Sequence, residues 1–106
     1  MKPGKRTEGH ASLKLGFCQA VPAPMRGKVR EISSVEVPQE HRGQGHARAL
    51  MRKVCQEADL NHMALLLEVE PYGDEPMTTE QLAYWYERLG FKVIQPSPLV
   101  MVRPAQ

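Results

Sequence analysis

The stretch VPQEHRGQGHARALMRKV (Val37–Val54) decides the fold, because a glycine-rich loop within it joins two regular patterns. Residues Lys28–Val37, before the loop, are rich in β-branched side chains and predict a strand. After the loop, apolar residues recur at helical spacing and predict a helix at His46–Leu60. Gly43 and Gly45 let the chain turn tightly between these two elements. The stretch therefore predicts a strand, a tight loop and a helix in direct succession.

A glycine loop at the start of a helix has the features of an anion site. The first backbone N–H groups of a helix have no partner within the helix, and the helix dipole adds positive charge there. A phosphate or pyrophosphate is the anion that fits best, and an ordinary turn is the alternative that the same residues allow. The loop has no Gly-Lys-Ser/Thr of a Walker loop, and Arg48 stands where the dinucleotide-binding motif has its third glycine.

The rest of the chain predicts short strands and one more helix. The apolar run His62–Pro71 is nearly continuous, as in a strand that is covered on both faces. A strand, a helix and a strand in this order require a right-handed crossover between parallel strands. The sequence therefore predicts an α/β fold with a compact mixed β-sheet flanked by helices. The further predicted elements are strands at Ala11–Ala20, Phe91–Gln95 and Pro98–Val102, and a helix that begins with a Thr78–Gln81 capping box and ends at Gly90.

Length, composition and charge narrow the class of protein. The chain has 106 residues, enough for one modest core, and its 42% hydrophobic and 25% charged residues are typical of a folded, water-soluble protein. The net charge of +2 is too small for a typical nucleic-acid-binding protein, and no apolar run has the length of a membrane span. We predict a single domain at residues 11–106 that follows a flexible basic tail at residues 1–10.

The cysteines and histidines give no sequence pattern of a metal site. Cys18 and Cys55 stand far apart, without the paired Cys or His spacing of a zinc site. Two unpaired cysteines fit a reducing compartment, so we predict a cytoplasmic protein that holds no metal. His41 and His46 flank the glycine loop, where they are interpreted either as contacts to a phosphate or substrate or as surface residues.

Two motifs along the chain resemble those of the GNAT superfamily of N-acyltransferases. The family carries R/Q-x-x-G-x-G/A after its fourth strand, and the motif that resembles it here is RGQGHA at Arg42–Ala47. The family also carries a late Y-x-x-x-G-F, which YERLGF at Tyr86–Phe91 resembles. The resemblance extends from about Val29 to Val102 and implies the GNAT fold, without the strand and two helices with which the family usually begins. The matching residues are Arg42, Gly45 and Ala47 in the first motif and Tyr86, Gly90 and Phe91 in the second.

The resemblance implies an N-acetyltransferase that moves an acetyl group from acetyl-CoA directly to an amine of an acceptor that the sequence does not identify. In the family, loop amides hold the CoA pyrophosphate, and the pantetheine arm lies between two splayed strands, which here are Glu31–Val37 and Leu65–Glu70. By the same resemblance, the bulged end of the first strand presents the Val37 N–H to the thioester carbonyl. The implied acetyl-CoA contacts are Val37, Arg42, Gly43, Gln44, Gly45, His46, Ala47 and Thr79.

Tyr86 is the general acid that the resemblance implies, because it occupies the family's tyrosine position. A tyrosine hydroxyl is a weak acid, which suits the protonation of a departing thiolate. Tyr86 also shares a helical stripe with Leu82 and Leu89, so a plain core aromatic is the alternative interpretation.

A carboxylate base is expected as well, because an amine attacks only in its neutral form. The resemblance places Glu31 at the position of the base glutamate of histone-acetyltransferase members. Glu36 is the rival, nearer the expected bulge but pointing in the opposite direction if side chains alternate regularly along the strand. Glu68 and Glu70 on the next strand are weaker candidates. A solvated surface carboxylate is the alternative interpretation of each.

Two other classes of function are compatible with the sequence. A GNAT-like fold without chemistry would serve as a CoA-binding or protein-interaction module, and the absence of the family's N-terminal helices favours it. A nucleic-acid-binding protein would use the basic tail and the arginines of the first helix, but the small net charge argues against it. A homodimer is also compatible with so small a sheet, whose edges and apolar surface a second copy would cover.

Overall fold

A six-stranded sheet and two helices are seen in the computed structural model, which describes residues 1–70 and 77–106. Each element predicted from the sequence is present, with ends that differ by a few residues, and the predicted strand end at Pro71 lies outside the described residues. The strands are β1 (Gly4–Glu8), β2 (Ala11–Phe17), β3 (Val29–Glu36), β4 (Ala64–Glu68), β5 (Lys92–Pro96) and β6 (Leu99–Arg103), and the helices are α1 (His46–Leu60) and α2 (Thr79–Glu87). Short 3₁₀-helical segments lie at Ala23–Lys28 and Gln39–His41.

The sheet is mixed, with the strand order β1-β2-β3-β4-β6-β5. β3 and β4 are parallel, and the other neighbouring pairs are antiparallel. α1 connects the two parallel strands, since a parallel pair needs a long crossover connection. This arrangement confirms the predicted α/β fold with a mixed sheet and flanking helices.

Residues Gly4–Glu8 form an edge strand, so the prediction of a flexible tail at residues 1–10 is corrected for this part of the chain. β1 pairs with β2 in an antiparallel ladder. Arg6 of β1 also binds Glu57 of α1 through two nitrogen–oxygen contacts of 2.9 and 2.8 Å. The segment GKRTE shows no apolar alternation because neither of its faces is buried, and sequence patterns reveal a strand only through a buried face.

The main hydrophobic core joins one face of the sheet to both helices. α1 contributes Leu50, Met51 and Val54, which are fully buried. β4 is buried on both faces, as its apolar run predicts, because Leu65 packs in the main core and Leu66 in a smaller cluster. Within residues 1–70 and 77–106, no helix combines the length and the apolar character that crossing a membrane requires.

α2 begins where the sequence predicts and ends three residues before the predicted end at Gly90. Thr78 Oγ1 accepts a hydrogen bond from the Gln81 N–H at 3.2 Å, and Gln81 Oε1 accepts one from the Thr78 N–H at 2.8 Å, which completes the predicted capping box. Gly90 follows the helix with a φ of +100°, a conformation that favours glycine. The turn returns Phe91 to the core, where its ring lies 5.7 Å from that of Tyr86. The second motif therefore has a structural role.

Two arginine–carboxylate pairs attach α1 to strands of the sheet. Arg6 binds Glu57, and Arg103 of β6 binds Asp59 through contacts of 2.7 and 3.1 Å. The hydrogen bonds from these arginines lower the pKa of Glu57 and the pKa of Asp59 below the usual values. Because each pKa is lower in the folded than in the unfolded chain, each pair stabilises the fold above the usual carboxyl pKa of about 4. That contribution is lost as the pH falls below this value.

We expect the melting temperature of the wild-type protein to fall more steeply between about pH 5 and pH 2 than that of a Glu57→Gln/Asp59→Asn variant. The variant lacks both titrating carboxylates, so it should be less stable at neutral pH and less sensitive to acid. Thermal denaturation followed by circular dichroism across this pH range measures both slopes. Parallel slopes would show that other groups govern acid denaturation.

Candidate active site

β3 contains a bulge near its end. Ser12 of β2 pairs with Glu36, but Lys14 pairs with Ser33, so β3 has one more residue than β2 in this interval. Ser34 has a φ of +54°, in the left-handed region that a serine rarely adopts. The extra residue at Ser34 therefore shifts the alternation of the side chains that follow it.

The bulge changes the direction of the last side chains of β3. Ile32 and Val35 both pack in the main core, although regular alternation would direct them to opposite faces. The same shift lets Glu31 and Glu36 line one cavity, which has a volume of about 240 Å³. The expectation that Glu36 points away from Glu31 is therefore wrong, because it assumed a regular strand.

This cavity lies where β3 and β4 separate. Among the described residues, the pairing of the two strands ends at Ile32 and Leu67. β3 continues to Glu36, while β4 stays paired with β6 as far as Glu68. The two strands thus cease to pair at their carboxyl ends, where the resemblance to the family implies splayed strands.

Four glutamates line the cavity, which we call the acidic cavity: Glu31, Glu36, Glu68 and Glu70. The neighbouring Glu70 carboxyl raises the pKa of Glu68, first through a hydrogen bond and second through its charge. Glu31 adds a smaller contribution of the same sign. Because crowded carboxylates favour a positive partner, the acidic cavity suits an ammonium group.

The glycine loop that follows β3 leaves space in front of its backbone. Gly43 and Gly45 have φ values of +77° and +84°, so both adopt the left-handed conformation. A Cβ atom at either position would meet no other atom within 4 Å. Gly45 precedes α1 and has no side chain to cap its first N–H groups, in contrast to the capped α2. The loop therefore offers N–H groups and open space to an anion.

The loop forms one wall of a larger cleft, which we call the loop cleft and which has a volume of about 720 Å³. Leu82 and Trp85 of α2 also line the cleft. Arg42 lines the cleft, and its Nε donates a hydrogen bond to the Val37 carbonyl at 3.1 Å. This bond ties the loop to the end of β3.

Tyr86 lines both the loop cleft and the acidic cavity. Its side chain is largely buried, and its ring packs edge-on against Trp85 at 5.1 Å and Phe91 at 5.7 Å. Tyr86 is therefore a core aromatic that also lies at the boundary between the two cavities. A place in the core is therefore compatible with the predicted role of Tyr86 as a general acid.

The structure brings most of the predicted contacts together. Gln44 and Thr79 are not among the described residues that line the loop cleft. Gln44 instead faces His46, with Oε1 3.0 Å from Nε2, and Thr79 is the first residue of α2. The predicted contacts that line the cleft are Val37, Arg42, Gly43, Gly45, His46 and Ala47.

The sequence does not connect His10 with the glycine loop, although His10 lines the loop cleft. It lies in the turn between β1 and β2 and comes close to His41 and His46. The distance in sequence hides this contact, because the turn reaches the loop only through the pairing of β2 with β3, in which Ser12 lies opposite Glu36. The adjacent Gly9 is the local signal, since a glycine between two polar segments indicates a tight turn.

A comparison with sequence models of protein families matches residues 8–93 to the Acetyltransferase (GNAT) domain. The match covers most of the chain and includes the glycine loop and Tyr86. Among curated proteins, no sequence matches the chain.

Several solved structures have a similar fold. The anti-CRISPR protein AcrVA5 has a TM-score of 0.71 and 17% identity, over 96% of this chain and 98% of its own. The ribosomal-protein-S18-alanine N-acetyltransferase from Escherichia coli has a TM-score of 0.66 and 17% identity, over 92% of this chain and 62% of its own. A GCN5-related N-acetyltransferase from Kribbella flavida has a TM-score of 0.64 and 23% identity, over 89% of this chain and 59% of its own. The chain thus spans about three fifths of the length of these two acetyltransferases, and the likeness shows a shared fold.

Proposed function

Because the chain belongs to the GNAT acetyltransferase family, we propose that it transfers an acetyl group from acetyl-CoA to an amine by direct attack. The observation that carries the proposal is the position of Tyr86 between two cavities of different chemistry. The loop cleft offers N–H groups and an arginine to an anionic molecule, and the acidic cavity attracts a cation. An acyl donor and an amine would meet beside the Tyr86 hydroxyl.

The loop cleft suits the diphosphate of acetyl-CoA. Gly43 and Gly45 leave the room that phosphate oxygens need to approach the backbone, and the uncapped N-terminus of α1 adds donors. Arg42 supplies a positive charge in the same wall. The pantetheine arm would continue into the gap between β3 and β4, where the Val37 N–H would donate to the thioester oxygen as negative charge develops there.

The acidic cavity suits the acceptor, which would arrive as an ammonium ion. One of the glutamates takes a proton and leaves the neutral amine. The amine nitrogen then forms a bond to the thioester carbon, and the carbon–sulfur bond breaks. Tyr86 donates its hydroxyl proton to the departing thiolate and is restored by the proton that the nitrogen releases. The products are an N-acetylated amine and CoA.

The base is one of the carboxylates of the acidic cavity. Glu31 and Glu36 are the first candidates, since the bulge at Ser34 lets both line this cavity. Glu68 is a further candidate, because the raised pKa that Glu70 causes makes its carboxylate a stronger proton acceptor.

Calorimetric titration of the wild-type protein with acetyl-CoA, followed by an assay of thiol release, tests the proposal. The amines to compare are an alkylamine, a polyamine, a lysine-containing peptide and a free peptide N-terminus. We expect one molecule of acetyl-CoA to bind per chain and thiol release to require an amine. A wild-type protein that does not bind acetyl-CoA would contradict the proposal.

A CoA-binding module without chemistry is the second candidate function. The burial of Tyr86 against Trp85 and Phe91 favours it, because a buried core aromatic has a structural role without any reaction. The same two measurements separate the candidates. Binding of acetyl-CoA without amine-dependent thiol release would support the module and exclude the enzyme for these amines.

A further inference from the structure

Three of the four histidines in the chain form a cluster at the edge of the loop cleft, which we call the histidine cluster. His10 comes from the β1–β2 turn, His41 from the 3₁₀ segment after β3, and His46 is the first residue of α1. One ring nitrogen of each lies within 4.8 Å of the others. His10 and His41 stack with ring centroids 3.5 Å apart, and His46 stands edge-on to both. Three separate segments thus direct imidazole rings to one place.

The backbone of the β1–β2 turn leaves room for this approach. Gly9 has a φ of +58°, and a Cβ atom at this position would overlap Nδ1 of His46. The His10 N–H points to the same nitrogen at 3.4 Å. Any other residue in place of Gly9 would therefore push the His46 ring away from the cluster.

Each ring of the histidine cluster has a nitrogen that can bind a cation. His46 Nε2 lies 3.0 Å from the acceptor Gln44 Oε1, so Nε2 carries the hydrogen and Nδ1 the lone pair, and a metal ion would replace the His10 N–H as the partner of Nδ1. In the parts of the chain that the structure describes, the ring nitrogens of His10 and His41 make no hydrogen bond. His10 is exposed and the other two rings are half-buried, so an ion can enter from solvent.

We propose that His10, His41 and His46 bind a divalent transition-metal ion of the Zn²⁺ class. Three histidines with an open fourth position are an established coordination set for zinc. A tetrahedral ion with bonds of about 2.0–2.1 Å holds its ligand nitrogens about 3.4 Å apart, so the ring nitrogens need to approach one another by at most about 1.4 Å. Side-chain rotation at the protein surface supplies this change. Because the cluster contains no carboxylate, Mg²⁺ and Ca²⁺ do not suit it.

A bound ion would fix the glycine loop at both ends. His41 and His46 flank Arg42–Gly45 in the sequence, and His10 belongs to the β1–β2 turn. One ion would therefore join the loop to the β1–β2 turn. The site needs neither CoA nor an amine, so it stands independently of the proposed transferase function.

Titration of the metal-free, full-length protein with Zn²⁺ against a chromophoric chelator at about pH 7.5 tests the proposal. We expect one ion per chain. His10→Ala, His41→Ala and His46→Ala should each weaken binding by at least about 100-fold, since loss of an outer hydrogen-bond partner alone costs roughly 10- to 100-fold. His62→Ala is the matched control and should bind as the wild type does, because His62 lies outside the cluster beside the Gln106 carbonyl. Mg²⁺ in excess should not displace Zn²⁺ from the cluster, because the cluster offers no carboxylate oxygen.

The spectrum of the Co²⁺-loaded wild-type protein gives a second measurement that does not depend on how the variants fold. Tetrahedral coordination by nitrogen gives visible absorption bands without the charge-transfer band of a thiolate. A thiolate band would assign the ion to Cys18 or Cys55 and overturn the proposal. Wild-type affinity in all three cluster variants, or an equal loss in His62→Ala, would also overturn it. Melting temperatures of the metal-free variants show whether each is folded.

Discussion

Tyr86→Phe is expected to lower kcat for acetyl transfer by roughly 100- to 10,000-fold, the usual contribution of a general acid. The KM for acetyl-CoA should change little, because the substitution removes only the hydroxyl. The ring that packs against Trp85 and Phe91 stays in place, so the variant should fold. Steady-state kinetics with the best amine of the panel, together with the melting temperature, measures both effects.

Tyr84→Phe is the matched control for this prediction. Tyr84 belongs to the same helix as Tyr86, but its side chain is 65% exposed and does not line either of the two cavities. Removal of its hydroxyl should leave kcat unchanged within about threefold. If Tyr86→Phe behaves like this control, Tyr86 is a core aromatic without a role in proton transfer, and the thiolate leaves without its help.

Gly45→Asp is expected to weaken acetyl-CoA binding by roughly 30- to 1000-fold, which corresponds to about 2 to 4 kcal/mol of repulsion in a partly desolvated site. The new carboxylate would lie in the open space in front of the loop, where the diphosphate is proposed to bind. Asp tolerates the left-handed backbone better than most residues, so the loop should keep its conformation. Calorimetric titration measures the change in Kd.

Gly45→Asn separates the effect of charge from that of size. Asn has the same shape as Asp, tolerates the same backbone conformation and carries no charge. We expect its Kd to stay within about tenfold of the wild-type value, since only the loss of space opposes binding. Equal losses in the two variants would mean that the space itself is needed and that charge is irrelevant, which would argue against an anion at this loop.

The helices could be predicted from the sequence because their signals are local. α1 extends from His46 to Leu60, as its apolar periodicity predicts, and the Thr78–Gln81 capping box marks the start of α2. The tight loop could be predicted for the same reason, since Gly43 and Gly45 lie between the patterns of a strand and a helix. These features depend on residues a few positions apart.

The parts that could not be predicted depend on contacts between distant segments. β1 is polar and is recognisable only through its pairing with β2. The bulge depends on the partner strand, and Ser34 carries no sequence signal for a positive φ. His10 and His46 are 36 residues apart, so no local spacing rule connects them. Tertiary pairing decides all three features.

Because β3 contains a bulge, the number of residues in this strand, as well as their identity, determines which side chains line the acidic cavity. Before Ser34 the odd-numbered positions face away from the main core, and after it the even-numbered position Glu36 does. Removal of one residue at this point would exchange the faces of everything downstream, so that Val35 would turn outward and Glu36 inward. The composition of the segment would hardly change, yet one carboxylate wall of the acidic cavity would be lost. At this position a change in length is more damaging than most substitutions.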